Sequence, residues 1–339
     1  MNIGLIGCGR IFNKHIEAIK SIDFFKLKSL CEVDPNKIEL LKSSYKVPVY
    51  DNLDDFLNNN NLDIVSVCSP SGLHPTHSIA CANAGLDVVS EKPMATRWNE
   101  AKKMISVFDN KKKNLFIVKQ NRLNPTIKLL KSALEKNDLG RIYMINANVF
   151  WCRPQNYYDQ DDWRGTWELD GGALMNQASH YVDLLDWLFG PIERVHCFSS
   201  TLSRNIEVED SAVVNLRWRT GALGSLNVTM LAYDKNYEGS ITVLGEKGII
   251  KLSGQALNQI DTWSINGEDL KNKYLEKNYE IENVYGNGHK YFYESLMNFY
   301  KKNIDELPSG REGLRSLELL VSFYLSSREE RSVSLPFDI

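Results

Sequence analysis

The sequence predicts an α/β protein of two domains, a parallel sheet with helical crossovers followed by a mostly antiparallel sheet. Three observations carry this. At 339 residues the chain is longer than one typical domain. Up to about residue 120 short apolar runs alternate with helical stretches, the pattern of strand–helix–strand crossovers. Beyond that, long period-two stretches follow one another, the pattern of antiparallel strands with one covered face.

Taken in order, residues 3–6 read as a strand, 14–21 as a helix, 25–32 as a strand, and 35–44 and 54–59 as helices. Residues 64–69 then read as a strand, 75–84 as a helix, 88–90 as a strand, 97–111 as a helix and 115–120 as a strand. Gly85 suits the cap that ends the preceding helix. Lys111-Lys112-Lys113 reads as a solvated turn. In the second part, 141–151 alternates with Tyr143, Ile145, Ala147, Val149 and Trp151 on one face, and 211–218 with Ala212, Val214, Leu216 and Trp218. Residues 223–231 and 241–244 continue as strands, and 291–303 and 310–329 have helical periodicity. The expected domains are 1–122 and 123–339, with the last helix packing back on the first domain.

Composition narrows the function. With 43% hydrophobic and 24% charged residues and a formal net charge of −3, the chain suits neither a nucleic-acid nor an anionic-membrane partner. No apolar run approaches the roughly 18 residues of a membrane span. The six cysteines are scattered without a Cys-x-x-Cys pair, as reduced thiols are, and Met1-Asn2 leads directly into Ile3-Gly4-Leu5-Ile6. A cytoplasmic protein without a metal is expected.

The chemistry concentrates in four places. Gly7-Cys8-Gly9-Arg10-Ile11 joins the first strand to a helix, where glycines permit a tight turn and backbone approach to a pyrophosphate; Phe12 stands where a third glycine is usual. Glu32 ends the second strand about 20 residues on, placed to accept ribose hydroxyls and repel a 2′-phosphate, which favours NAD over NADP. Asp34 competes for that role, but before Pro35 it reads as a helix cap. Ser69, Pro70 and His74 end a central strand; His74 can touch a cofactor or cap and pack at the helix start. Glu91-Lys92-Pro93 ends another strand, and Pro93 restrains the backbone of Lys92, so the ammonium is aimed at the strand ends. The fourth place is the densest: Trp163-Arg164-Gly165-Thr166-Trp167, Gly171-Gly172, and Asn176, His180 and Asp183 at helical spacing on one face. The preceding run Arg153–Tyr158 adds arginine and aromatics, and Gln120, Asn121 and Arg122 follow a strand tip.

The glycine turn, Glu91-Lys92-Pro93, Trp163-Arg164, Gly171-Gly172 and His180 together resemble the glucose–fructose oxidoreductase/inositol dehydrogenase (Gfo/Idh/MocA) family over essentially the whole chain. The resemblance implies an N-terminal Rossmann domain, a C-terminal α/β domain with a large open sheet, and NAD(P)-dependent oxidation or reduction of sugar or cyclitol hydroxyls. It makes Lys92 and His180 the catalytic pair, with Asn176 where the family often has aspartate. Cofactor contacts are expected from Gly7, Gly9, Arg10, Ile11, Glu32, Ser69, Pro70, His74, Glu91, Lys92, Gln120, Trp163 and Arg164. Substrate contacts are expected from Lys92, Asn121, Arg122, Arg153, Arg164, Thr166, Asn176 and His180. Hydride transfer needs a base for the hydroxyl proton and a cation for the alkoxide; His180 and Lys92 fill these roles, in either order. The run Gly171–His180 is similar to the subgroup that oxidises UDP-N-acetylglucosaminuronic acid at C3 for bacterial surface polysaccharides, which implies a tightly held NAD and 2-oxoglutarate as oxidant. The alternatives are an inositol or free-sugar dehydrogenase and a non-catalytic NAD- or sugar-sensing regulator on the same fold. A weakly charged sheet face of Asn146, Asn148, Val213, Asn215, Ser225, Asn227 and Thr229 predicts a homodimer or homotetramer.

Overall fold

A computed structural model describes residues 1–58, 61–281, 286–302 and 307–336. The expected helix ends at Asn59 and Asn303 lie outside the described residues. The chain forms two compact units: 1–119 with 289–317, and 120–288 with 318–339.

In the first unit the order is β1 (Asn2–Ile6), α1 (Phe12–Lys20), β2 (Lys26–Cys31), α2 (Pro35–Ser44), β3 (Val49–Tyr50) and α3 (Leu53–Asn58). Then come β4 (Ile64–Val67), α4 (His74–Asn83), β5 (Asp87–Ser90), α5 (Trp98–Lys111) and β6 (Leu115–Ile117). The six strands are parallel in the order β3-β2-β1-β4-β5-β6. β1, β4 and β5 are apolar and buried through nearly their whole length, as strands covered on both faces must be. Strand order reverses between β1 and β4, so the crevice at their carboxyl ends is where such sheets take ligands. The glycine turn, Ser69-Pro70 and Glu91-Lys92-Pro93 all leave the sheet at that edge.

The second unit adds α6 (Pro125–Glu135), β7 (Ile142–Phe150), α7 (Gln155–Tyr158), a π-type turn at Ala173–Gln177 and α8 (Ser179–Phe189). β8 (Ile192–Ser200), β9 (Ser211–Trp218), β10 (Leu223–Thr229), β11 (Glu238–Gly245), β12 (Gly248–Ser253), β13 (Gln259–Ile265) and β14 (Glu268–Asp269) follow. α9 (Gly288–Lys302), α10 (Gly310–Glu329) and β15 (Val333–Ser334) complete the chain. The nine strands run β14-β13-β12-β11-β7-β10-β9-β8-β15, antiparallel except for the β7–β10 pair. The α/β class, with a parallel and a mostly antiparallel sheet, is as the sequence predicts.

Three local readings differ. α6, β8 and β12–β15 carry no period long enough to stand out from neighbouring loops, and the sequence did not yield them. Tyr143 is exposed, because the buried face of β7 begins only at Ile145. The helix expected through Asn176 and His180 is interrupted: Asn176 lies in the π turn and His180 in α8, so the two do not share one regular helical face. On the opposite face of the sheet the polar row forms as expected. Ser225 pairs with both Asn146 and Asn215, Asn227 with both Asn148 and Val213, and the Asn227 amide donates to Asn148 Oδ1 at 2.9 Å.

Candidate active site

At the glycine turn the two glycines do different things. Gly7 has φ +87° and a Cβ there would lie 2.6 Å from the Ser69 backbone nitrogen, so only glycine lets β1 and the loop after β4 approach. A Cβ on Gly9 would meet nothing within 4 Å; it would instead fill the open space before α1, where a pyrophosphate would rest on the amides of the helix start. Arg10 is exposed there and Ile11 half-buried. Phe12, in place of a third glycine, is buried edge-on to Tyr45.

Glu32 accepts three backbone amides, Cys8 at 2.9 Å, Val33 at 2.8 Å and Asp34 at 3.0 Å, so its carboxylate is fixed beside the glycine turn. Asp34 caps α2 by accepting the Asn36 amide. His74 is buried, with Nδ1 2.7 Å from the Pro93 carbonyl and Nε2 2.8 Å from the Ser69 carbonyl. Burial holds its pKa down, and a neutral imidazole has a single N–H, so it donates to one of these two carbonyls at a time, between the loops after β4 and β5. Ser69 meets His77 through its hydroxyl, and Pro70 is half-buried. Lys92 is half-buried and joined to Pro93 by a cis peptide. The Glu91 side chain turns inward. Its Oε1 lies 3.0 Å from His15 Nε2 and 3.1 Å from His289 Nε2, while Oε2 accepts the Lys92 amide at 3.0 Å. No metal-type cluster was legible in the sequence, yet the fold assembles one from these three side chains. Its spacings are those of hydrogen bonds.

In the second unit, His180 is 9% exposed near the start of α8. The Gln120 amide nitrogen is 3.4 Å from its Nε2, which requires the ring's lone pair at that atom. Three residues on, Asp183 accepts two 2.8 Å hydrogen bonds from Arg122. This buried fork fastens α8 to the turn that carries Gln120 and Asn121. Arg122 is thus committed to Asp183 and lies over the Trp187 ring, where the sequence suggested a substrate contact. Buried Gln120 Oε1 and Asn121 Oδ1 accept no hydrogen bond, two acceptors available to a ligand's hydroxyl or amide donors.

The π turn is built from a distance. Ala173 and Leu174 donate their amides to the Glu209 carbonyl (3.0 Å) and Oε1 (2.8 Å), and Met175 donates to the Tyr324 hydroxyl (3.2 Å). Tyr324 in turn donates to Glu209 Oε1 at 3.0 Å. A Cβ on Gly172 would fall 1.8 Å from Glu209 Oε2, which explains the second glycine of the pair. Burial pushes the Glu209 carboxyl up to about 7. Asn176 donates its amide to Asp170, which also receives the Gly165 amide at 2.7 Å. Thr166 is occupied locally, donating to the Trp163 carbonyl at 2.7 Å.

The arginines form an aromatic-lined group. Arg153 lies 5.1 Å from the Trp151 ring and 5.4 Å from Tyr157, and bonds Gln177 and Asn236. Arg164 stacks on Trp163 (4.5 Å) and Tyr157 (4.8 Å) and pairs with Asp161. Arg204 reaches the same segment through the Arg153 carbonyl at 2.7 Å. Arg204, Glu209, Tyr324, His15 and His289 escaped the sequence reading because nothing local marks them.

An oxidoreductase-family NAD-binding Rossmann fold matches residues 1–119, and the C-terminal alpha/beta domain of the same family matches 131–335. The chain belongs to the Gfo/Idh/MocA oxidoreductase family. Its first unit is the NAD-binding Rossmann domain of that family. Among Gfo/Idh/MocA structures, it is similar to the WlbA dehydrogenase of Chromobacterium violaceum, solved with NADH and UDP-GlcNAcA: 49% identity, 100% of this chain and 97% of that one, TM-score 0.94. The WlbA dehydrogenase of Bordetella pertussis, solved with the same ligands, is 48% identical over 100% of this chain and 98% of that one, TM-score 0.96. The myo-inositol 2-dehydrogenase of Thermotoga maritima is 28% identical over 99% of this chain and 98% of its own length. No described helix is long and apolar enough to cross a membrane.

Proposed function

We propose that this family member oxidises C3 of UDP-N-acetylglucosaminuronic acid with NAD, in the cytoplasm, as a step toward bacterial surface polysaccharide. The observation that carries the reading is 49% and 48% identity, over the whole chain, to two dehydrogenases solved with that nucleotide sugar and NADH. The local chemistry agrees with it. Arg153, Arg164 and Arg204 supply guanidinium forks for a substrate carrying a carboxylate and a diphosphate. Their aromatic neighbours offer flat faces to sugar or base.

NAD, when bound, supplies the acceptor for the hydride that leaves C3. His180 takes the hydroxyl proton as the C3–H bond breaks, its Nε2 exchanging the Gln120 amide for the substrate hydroxyl. The Lys92 ammonium opposes the negative charge growing on the oxygen. The acceptors Gln120 Oε1 and Asn121 Oδ1 orient the sugar's donors. 2-Oxoglutarate, reduced in turn, restores the oxidised cofactor. The hydrogen-bonded Asn/Ser face of the second sheet, with exposed Phe198 and Val213 on it, is the surface through which copies of the chain associate.

The test is incubation with UDP-N-acetylglucosaminuronic acid and 2-oxoglutarate, followed by mass spectrometry for the 3-keto product. Robust oxidation of myo-inositol or a free hexose, with no nucleotide-sugar product, would favour the second reading, to which the Thermotoga relative points.

A further inference from the structure

We infer that Glu91 is a positioning residue, clamped by His15 and His289 so that its carboxylate sets the backbone of Lys92; the inference rests on the proposed part of Lys92 in turnover. Within the first unit both oxygens of the carboxylate are held. Glu91 is 5% exposed, and its Oε1 accepts Nε2 of both imidazoles. His15 is held in turn at Nδ1 by the Tyr293 hydroxyl (2.8 Å) and Ser66 Oγ (3.0 Å), and Tyr293 donates to Ser66 at 3.1 Å. The oxygen left over, Oε2, accepts the Lys92 amide. On the far side of Lys92, the His74 ring packs against the Pro93 carbonyl, 2.7 Å from Nδ1.

The charge is sustained locally. Burial opposes it, yet the hydrogen bonds from His15 and His289 hold the Glu91 carboxyl well below the ordinary carboxylate range. Burial likewise opposes a proton on His15, but the Cys68 sulfur and Glu91 raise it to about 9. His15 sits on α1, the helix that opens at the glycine turn, and His289 on α9. The clamp therefore ties the Lys92 loop to the phosphate-binding helix through side chains. This assigns Glu91 to the support of Lys92 and withdraws it from the cofactor contacts expected from sequence.

Glu91→Gln is the discriminating variant. Its amide has one acceptor and one donor end, so either the Lys92 N–H or the imidazole pair faces a donor. In the full chain we expect kcat to fall about tenfold or more, with KM for NAD and for the sugar unchanged within about twofold. Amide hydrogen exchange, which needs no substrate, should accelerate about tenfold at Lys92 without a matching change elsewhere. His289→Gln, which keeps a donor near Nε2, should retain kcat, whereas His289→Leu should not. Lys92→Ala run in parallel separates the readings. An inactive Lys92→Ala beside a fully active Glu91→Gln overturns this inference and leaves Lys92 in the mechanism. A fully active Lys92→Ala overturns both. A raised KM for NAD at unchanged kcat in Glu91→Gln would make Glu91 a cofactor ligand and overturn the clamp. A stoichiometric metal in the purified wild-type protein would do the same. If Glu91→Gln does not fold, equal kcat in the two His289 variants decides against it.

Discussion

The two units secure their functional side chains by different means. In the Rossmann unit the end of β2 is fastened at short range, since Glu32 takes the amides of Val33 and Asp34 and Asp34 caps its own helix, and the Glu91 clamp is the long-range exception. In the second unit the fastening comes from far along the chain. The π turn before His180 hangs on Glu209 and Tyr324, and α8 is held by Arg122 across 61 residues. A loop stabilised by its own neighbours announces itself in sequence, whereas one stabilised by remote carboxylates leaves only its glycines as a trace.

The contrast makes the remote fastenings the costly ones to remove. Asp183→Ala strands the buried Arg122 guanidinium and should lower unfolding free energy by about 3–5 kcal/mol in denaturant titration. A loss below about 1 kcal/mol would mean the fork does not secure α8. Next in size, His180→Ala and Lys92→Ala should each lower turnover about a hundredfold or more with the fold intact by circular dichroism. Near-normal rates in either would remove that residue from the chemistry.

Glu209 gives a pH signature of the second unit alone. Its folded pKa, about 7, is raised, so the folded state keeps a proton that the unfolded state releases above the ordinary carboxylate range. The associated stability is complete below about pH 4.5 and is lost as pH rises through 7, by about 3 kcal/mol. Glu209→Gln should flatten the dependence between pH 5 and 8; an unchanged slope would show that Glu209 does not titrate there. The smallest effect belongs to the locally held carboxylate. Titration calorimetry should show NAD(H) preferred over NADP(H), and Glu32→Ala should cut that discrimination roughly tenfold.

How much was legible follows the same division. The parallel sheet, its strand-end motifs and the Asp34 cap were readable because period and neighbouring residues determine them. Lys92 and His180 were singled out by what surrounds them in sequence. The break in the helix at 173–177 was not, since it depends on the Glu209 carboxylate displacing any Cβ at Gly172. A strand-tip arginine such as Arg122 gives no local sign of its partner, Asp183, which lies 61 residues on. Nothing local marks His15; only the return of the chain at 289 shows what it faces.

The chain passes between the two units at 119, 288 and 317, the last time inside α10. Pro308 accepts the Ile117 amide and Ser309 bridges Phe116, so the outer edge of β6 is covered by residues encoded some 190 positions later. A gene product cut after residue 119 would keep the glycine turn and Lys92 but expose an unpaired, apolar strand edge. Such a fragment is an aggregation hazard. An engineer who wants the cofactor module in isolation, or a recombination event that would exchange it, has to carry 289–317 as well. This architecture is modular in space and indivisible in sequence.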